Sequence, residues 1–346
     1  MDARAALGAV ASGRSLTRAE AEDAMTSVMQ GEATPAQLGA LLAALAIRGE
    51  TVDEIAGFAA AMRAAAVKVK LATPDAIDIV GTGGSRADPF NISTVASVVA
   101  AAAGARVAKH GNRAASGRCG SADVLEALGV KIDLGPDSIA ECVATDGIAF
   151  MFAARFHPAM RHAGPVRREM GIRTVFNILG PLANPAGVKR MVVGVANEAI
   201  GDKIAQVLRE LGAEHALVVH GVDGLDEISP TGQTRTWELR GGEILAGAID
   251  PSDADLPRGT LADIASGDAA ANAATARAVV AGERGARRDA VLLNAGAALR
   301  IAGAARDLRE GVDRAARAID SGAAADRLAR WTATSQRLGQ AEAATA

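Results

Sequence analysis

The first 70 residues carry apolar positions at helical spacing, and no strand candidate occurs before Ile77. Leu16-Thr17-Arg18-Ala19-Glu20 opens one helix. Thr34-Pro35 opens a second, with proline at the first helical position and Leu38, Leu41, Leu42 and Leu45 as its apolar stripe. Thr51-Val52-Asp53-Glu54 predicts a capping box at the start of a third.

From Ile77 the pattern changes to short apolar runs alternating with helical stretches. Ile77–Val80, Ala105–Ala108, Ile148–Phe152, Met191–Val195 and Ala216–His220 read as strands. Ser93–Ala103 and Ser121–Leu128 read as helices, closed by Gly104 and Gly129. This alternation predicts an α/β fold with a central, mainly parallel sheet flanked by helices. Thr234–Leu239 and Glu243–Ala246, joined at Gly241-Gly242, predict an antiparallel hairpin, and residues 269–330 return to helix. The expected division is a helical domain over 1–70 and an α/β domain over 71–346.

Aromatic residues make up 2% of the chain and tyrosine is absent, so the core must come from Ala, Val, Leu and Ile. A net charge of −3 offers no basic field for nucleic acid. Cys119 and Cys142 have no metal or redox spacing, which fits a reduced cytoplasmic chain. The N-terminus lacks a signal-peptide pattern, and the longest apolar runs are too short to span a bilayer. No membrane partner is expected.

Four stretches carry candidate chemistry. Gly81-Thr82-Gly83-Gly84-Ser85 follows a strand and leads to Asn91-Ile92-Ser93-Thr94 at a helix start. Free N–H groups there suit a phosphate, but an ordinary tight turn with a Ser cap accounts for this stretch slightly better when it is taken alone. Lys109, His110, Asn112, Arg113, Ser116, Arg118 and Ser121 crowd one loop, with Gly111, Gly117 and Gly120 giving it freedom to fold around a phosphate-rich ligand. Arg155, Arg161, Arg167, Arg168 and Arg173 accumulate with His157 and His162; one such Arg suffices to grip a small carboxylate, and the histidines read as hydrogen-bonding walls. Asp226-Glu227 follow a strand and are able to hold Mg²⁺, although acidic pairs in loops are common. Together the four fit a Mg²⁺-bound diphosphate or phosphoribosyl donor and a small anionic acceptor.

The order and wording of these motifs resemble the anthranilate phosphoribosyltransferase family over nearly the whole chain. The matching stretches are GTGG at 81–84, NIST at 91–94, KHGNR at 109–113, GSAD at 120–123, PVRREMGIRTVFNILGPLANP at 165–185, DGLDE at 223–227 and VLLNAGAAL at 291–299. The resemblance implies a nucleoside-phosphorylase-like fold, with a small helical domain joined by part of 155–185, and a homodimer formed through it. It implies transfer of the phosphoribosyl group of phosphoribosyl pyrophosphate (PRPP) to the amine of anthranilate, with Mg²⁺ as cofactor. Gly81, Gly84, Asn91, Ser93, Thr94, Lys109 and Ser121 match donor positions; Ser93, Asp226 and Glu227 match Mg²⁺ positions. Gly81, Asn112 and Arg167 match anthranilate positions. The expected substrate-binding set also takes in Ser85, Ile92, His110, Gly111, Arg113, Ser116, Gly117 and His157. No catalytic base is assigned, and His110 is the one candidate. Association with a glutamine amidotransferase is left open. Ser85-Arg86 stands where the family has Asp-Gly, Pro89 where Thr is common, and Arg118-Cys119 where Lys-Ser is usual. A pyrimidine-nucleoside phosphorylase would lack KHGNR and DGLDE, and a nucleic-acid-binding relative would be basic.

Overall fold

Threonines start the N-terminal helices in a computed structural model that describes residues 1–85, 87–114 and 118–345. Thr17, Thr34 and Thr51 each accept the N–H three residues on, and Glu20, Gln37 and Glu54 return the bond. These reciprocal bonds satisfy donors that a helix start leaves open. The helices are α1 (Ala3–Ala11), α2 (Arg18–Met29), α3 (Pro35–Arg48) and α4 (Val52–Ala65). α2 packs on α4 and α1 on α3, burying Leu38, Leu41, Leu42 and Leu45. Glu54 is fully buried, where an unpaired carboxylate would be costly. It accepts from Leu16 N at 2.8 Å and Thr51 N at 2.9 Å, and pairs with Arg48.

Next come β1 (Ile77–Gly81), α5 (Ile92–Ala102), β2 (Val107–Gly111), α6 (Ser121–Leu128), α7 (Pro136–Asp146) and β3 (Ile148–Phe152). The short helices α8 (Ala153–Phe156), α9 (Gly164–Met170) and α10 (Phe176–Leu179) precede β4 (Arg190–Gly194), α11 (Gly201–Glu210) and β5 (His215–Gly221). The hairpin β6 (Thr234–Arg240) and β7 (Glu243–Ile249) leads into α12 (Ala269–Val280), α13 (Ala286–Ile301), α14 (Leu308–Asp320) and α15 (Ala323–Thr345).

The strands form one sheet in the order β3-β2-β1-β4-β5-β6-β7, parallel through β5 and antiparallel at β6 and β7. The chain moves out from β1 to β2 and β3, then returns to β1's other side with β4. Such a reversal opens a crevice beyond the strand carboxyl ends. The first four strands are mostly buried, which is why they read as short apolar runs. α5 and α13 pack together with nearly every position covered; small Ala and Gly side chains allow that close approach.

α6 and β3 fall at their predicted bounds, whereas β2 runs to Gly111 rather than ending at Ala108. Lys109 and His110 thus belong to a buried strand and not to the loop expected from their polarity. Asp78 and the Ile79 carbonyl on β1 supply their partners, so polar residues do not end the strand. The chain between β3 and β4 turns back toward the N-terminal helices. α9 packs on α3, Val67 N donates to the Phe156 carbonyl at 2.9 Å, and Arg63 Nε to the Leu182 carbonyl at 2.6 Å. Among the described residues no helix is long and apolar enough to cross a membrane.

Candidate functional site

At the crevice lies a cavity of about 1050 Å³ lined from the turn after β1, the end of β2 and its loop, α8 to α10, and the loop after β5. The glycine turn has two causes. Gly81 faces the Asp226 carboxylate so closely that a Cβ would sit 2.5 Å from Oδ2. Gly84 has φ +82° and no room for a side chain, because the Arg173 guanidinium occupies that space. The turn therefore closes around protein groups that themselves face the cavity.

The expected cap at the next helix differs. Asn91 makes no side-chain cap bond to α5. Its Nδ2 donates to the Cys119 carbonyl and its Oδ1 accepts from Asn272 Nδ2, each at 3.0 Å. Ser93 N donates instead to Glu227 Oε1 at 3.2 Å. A carboxylate at a helix N-terminus is favoured by the helix dipole, and it occupies a donor that the sequence reading left for phosphate. Ile92 and Thr94 are buried in α5 and their side chains do not line the cavity; among the described residues Thr94 Oγ1 has no hydrogen-bond partner.

Lys109 reaches from β2 across β1. Its Nζ donates to the Ile79 carbonyl and to Ser93 Oγ, the latter at 3.3 Å. Burial lowers its pKa, opposed by Asp78 and Glu227. Asp78 is itself pushed up to about 6 by burial, with Lys109 pulling the other way. It accepts His110 N at 3.2 Å and Asn184 Nδ2 at 2.8 Å. The loop beyond is less cationic than its composition suggests. Arg113 lines the cavity but pairs with Asp123 at 2.9 Å and Glu126 at 2.5 Å, bonds that raise its pKa. Gly111, Asn112 and Ser121 line the cavity; Ser116 and Gly117 lie outside the described residues, as does Arg86.

The arginine cluster splits. Arg161, Arg167 and Arg173 line the cavity, while Arg155 pairs with Asp133 at 2.9 Å and Glu342 at 3.4 Å. Arg167 lies over the Phe176 ring at 5.1 Å, and burial lowers its pKa. His110 and His157 meet at 5.0 Å between ring centres. Burial pushes them down to about 3 and about 4, so both are neutral near pH 7. His110 Nδ1 lies 3.2 Å from the Gly180 carbonyl. A carbonyl only accepts, so Nδ1 holds the proton and Nε2 presents a lone pair. Among the described residues neither Nε2 has a hydrogen-bond partner.

Asp226 and Glu227 come together with the first two motifs. Asp226 Oδ2 accepts Gly83 N at 2.8 Å. Burial raises the pKa of both acids, and Asp226 raises that of Glu227 further. Two buried carboxylates with raised pKa values, beside the Ser93 hydroxyl, form a hard-oxygen set suited to Mg²⁺. Among the described residues no third His, Cys, Asp or Glu joins a metal-holding group. The set fits an ion that takes its remaining ligands from substrate and water.

Several working groups escaped the sequence reading. Asn184 bridges Asp78 and the Ala108 carbonyl, the latter at 2.9 Å. Asn294 brackets Ile228, accepting its N–H at 3.0 Å and donating to its carbonyl at 2.9 Å, which fixes the loop carrying the acidic pair. Asn272 holds Asn91 in a similar way. Each is a single amide with no local motif of its own, although Asn184 and Asn294 fall within the matched runs at 165–185 and 291–299.

A helical unit beside a sheet with a glycine turn, buried lysine and acidic pair at its crevice defines a sugar-transferring enzyme of the glycosyl transferase family. Residues 4–66 match that family's helical bundle domain and residues 73–325 its a/b domain. An anthranilate phosphoribosyltransferase from Rhodopseudomonas palustris (strain BisA53) is 54% identical over 97% of this chain and 98% of its own. The crystal structure of the Thermus thermophilus enzyme of that name superposes with a TM-score of 0.91 at 45% identity, covering 97% of this chain and 100% of that one. The Saccharomyces cerevisiae enzyme, solved in complex with PRPP and Mg, gives 0.89 at 26% identity over 96% and 98%. The chain belongs to the anthranilate phosphoribosyltransferase family. Its reaction moves the phosphoribosyl group of PRPP to the amine of anthranilate in tryptophan biosynthesis, releasing pyrophosphate.

Proposed function

We propose that the cavity works with a donor end and an acceptor end. The donor end comprises Gly81, Gly84, Ser85, Asn91, Ser93, Lys109, Gly111, Arg113 and Ser121; the acceptor end comprises Asn112, His110, His157 and Arg167. The observation that carries this reading is the junction of Gly83 N with Asp226 and Ser93 N with Glu227. It ties a cation-competent acidic pair to the phosphate-type turn.

Asp226, Glu227 and Ser93 would hold Mg²⁺, which supplies charge neutralisation for the departing diphosphate. Lys109, beside Ser93, adds a second positive charge on that side. Arg167, held by Phe176, grips the anthranilate carboxylate. The amine lone pair forms the bond to C1 of the ribose as the C1–oxygen bond breaks, and pyrophosphate takes that electron pair. The nitrogen then loses a proton to water. His110 and His157 offer Nε2 lone pairs that accept from the amine and orient it. At about 3, His110 is too weak a base to hold a proton near neutral pH, so no general base is assigned. Positioning then provides much of the rate.

The same reading takes 1–70 with part of 155–185 as one domain and 71–346 as the other, supported by the packing of α9 on α3. We infer a cytoplasmic homodimer formed through the helical domain; Ile47 at the end of α3, 87% exposed, supports that face. The test is loss of anthranilate fluorescence with PRPP and Mg²⁺ present. Consumption that proceeds equally without PRPP, or with chelator, would overturn the assignment.

A further inference from the structure

Asn91 donates to one loop and accepts from one helix. An amide cannot do both unless its two ends are told apart. Asn91 Nδ2 gives its hydrogen to the Cys119 carbonyl, and its Oδ1 receives one from Asn272 Nδ2. Asn272 is 2% exposed, sits in the first part of α12, and does not line the cavity. Its own amide is also directed: Oδ1 accepts Gly267 N at 2.8 Å, so Nδ2 must face Asn91 and the Ser266 hydroxyl, the latter at 2.9 Å. The main-chain N–H of Gly267 can only donate and the carbonyl of Cys119 can only accept. The chain Gly267 N–H to Asn272 to Asn91 to Cys119 therefore has one polarity.

We propose that Asn272 is a positioning residue for the donor end, acting through Asn91. It fixes the Asn91 amide so that the turn after β1 is stitched to Cys119, two residues before Ser121 begins α6. Both joined segments line the cavity. Without that polarity the Cys119 carbonyl faces another oxygen and the two donor-side walls separate. The acceptor end, around Arg167, His110 and His157, has no bond to this chain of amides. The proposal rests on the reading that these two walls hold the donor.

Asn272→Asp isolates the effect. Asp keeps an acceptor for Gly267 N, and the Ser266 hydroxyl rotates to donate to it. Only the Asn91 oxygen then meets a second acceptor and must turn away. The expected result is a rise of about tenfold in the KM for PRPP, the size expected when a buried hydrogen bond is lost, with the KM for anthranilate within about twofold of wild type. Ser266→Ala removes the other partner of the same amide and should leave the PRPP KM within about twofold. If Asn272→Asp does not accumulate as folded protein, Asn272→Ala tests the same loss without repulsion and should shift the same KM in the same direction. An unchanged PRPP KM in both Asn272 variants, equal rises in both KM values, or a Ser266→Ala variant as impaired as Asn272→Asp would each overturn the proposal. A wild-type chain that does not turn over PRPP would instead remove the donor reading beneath it.

Discussion

Arg173 Nη2 donates to the Gly83 carbonyl at 3.2 Å, joining the segment before α10 to the turn after β1. The guanidinium fills the space that a side chain at 84 would need, and its charge also bears on Asp226. The glycine and the arginine are thus halves of one contact. Gly84→Ala should lower kcat/KM for PRPP by about tenfold or more, since it adds left-handed backbone strain and expels the guanidinium. Combining it with Arg173→Ala should cost less than the sum of the single changes. A double-mutant cycle on kcat/KM measures this, and strictly additive losses would show that the two residues act apart.

Arg167 makes a sharper test of the acceptor end. Its guanidinium is half-buried against Phe176. Arg167→Ala should raise the KM for anthranilate about 10- to 100-fold, the cost of a lost charge-assisted pair, and change the PRPP KM little. Arg167→Lys should recover only part of this, because an ammonium cannot form the bidentate pair or stack on the ring. Steady-state kinetics with each substrate varied in turn decides it; equal effects on both KM values would refute the role.

What was legible in the chain was local. The helix start at Thr34-Pro35, the cap at Thr51, the helix Ser121–Leu128 and the strand Ile148–Phe152 are set by residues within a few positions of one another. The clustering of the glycine turn, β2 and the acidic pair followed from strand order. The asparagine bonds were invisible for the opposite reason: Asn272 and Asn91 are 181 residues apart, and neither has a neighbour that marks the contact. Arg113 misled for a related reason. Its charge is visible in the sequence, but its neutralisation by Asp123 and Glu126 depends on how α6 returns along the loop.

The acidic pair should trade stability for function. Burial disfavours both carboxylates in the absence of a cation. Asp226→Asn with Glu227→Gln keeps oxygen acceptors for Gly83 N and Ser93 N and removes the buried charge. The double variant should lose about 100-fold or more in Mg²⁺-dependent rate. Without Mg²⁺ its melting temperature should match or exceed wild type by about 2 °C. Mg²⁺ titrations of rate, paired with thermal unfolding in chelator, check both halves. A wild-type rate would show the pair to be dispensable, and a large drop in melting temperature would assign it a structural role.

The histidine pair gives the pH dependence. In the folded chain burial holds His157 near 4 and His110 near 3, whereas in the unfolded chain each takes up a proton near 6.5. Between those values the unfolded state binds more protons, so folding stability falls as pH drops through about 6.5 and the loss ends only below the folded values. Each histidine should account for a loss of about 1 kcal/mol between pH 7.5 and 5.5. Asp78 works against this trend, because its raised pKa makes the folded chain the better proton binder below about 6. A single pH curve would blend the two. The discriminating quantity is the difference between wild type and His157→Asn, whose amide keeps a donor for the Ala183 carbonyl. Urea unfolding across this range should find the stability gap shifting in favour of the variant by about 1 kcal/mol as the pH falls. A gap that stays constant would mean His157 is protonated as readily in the folded chain as in the unfolded one, and that its Nε2 is not the lone pair required at the acceptor end.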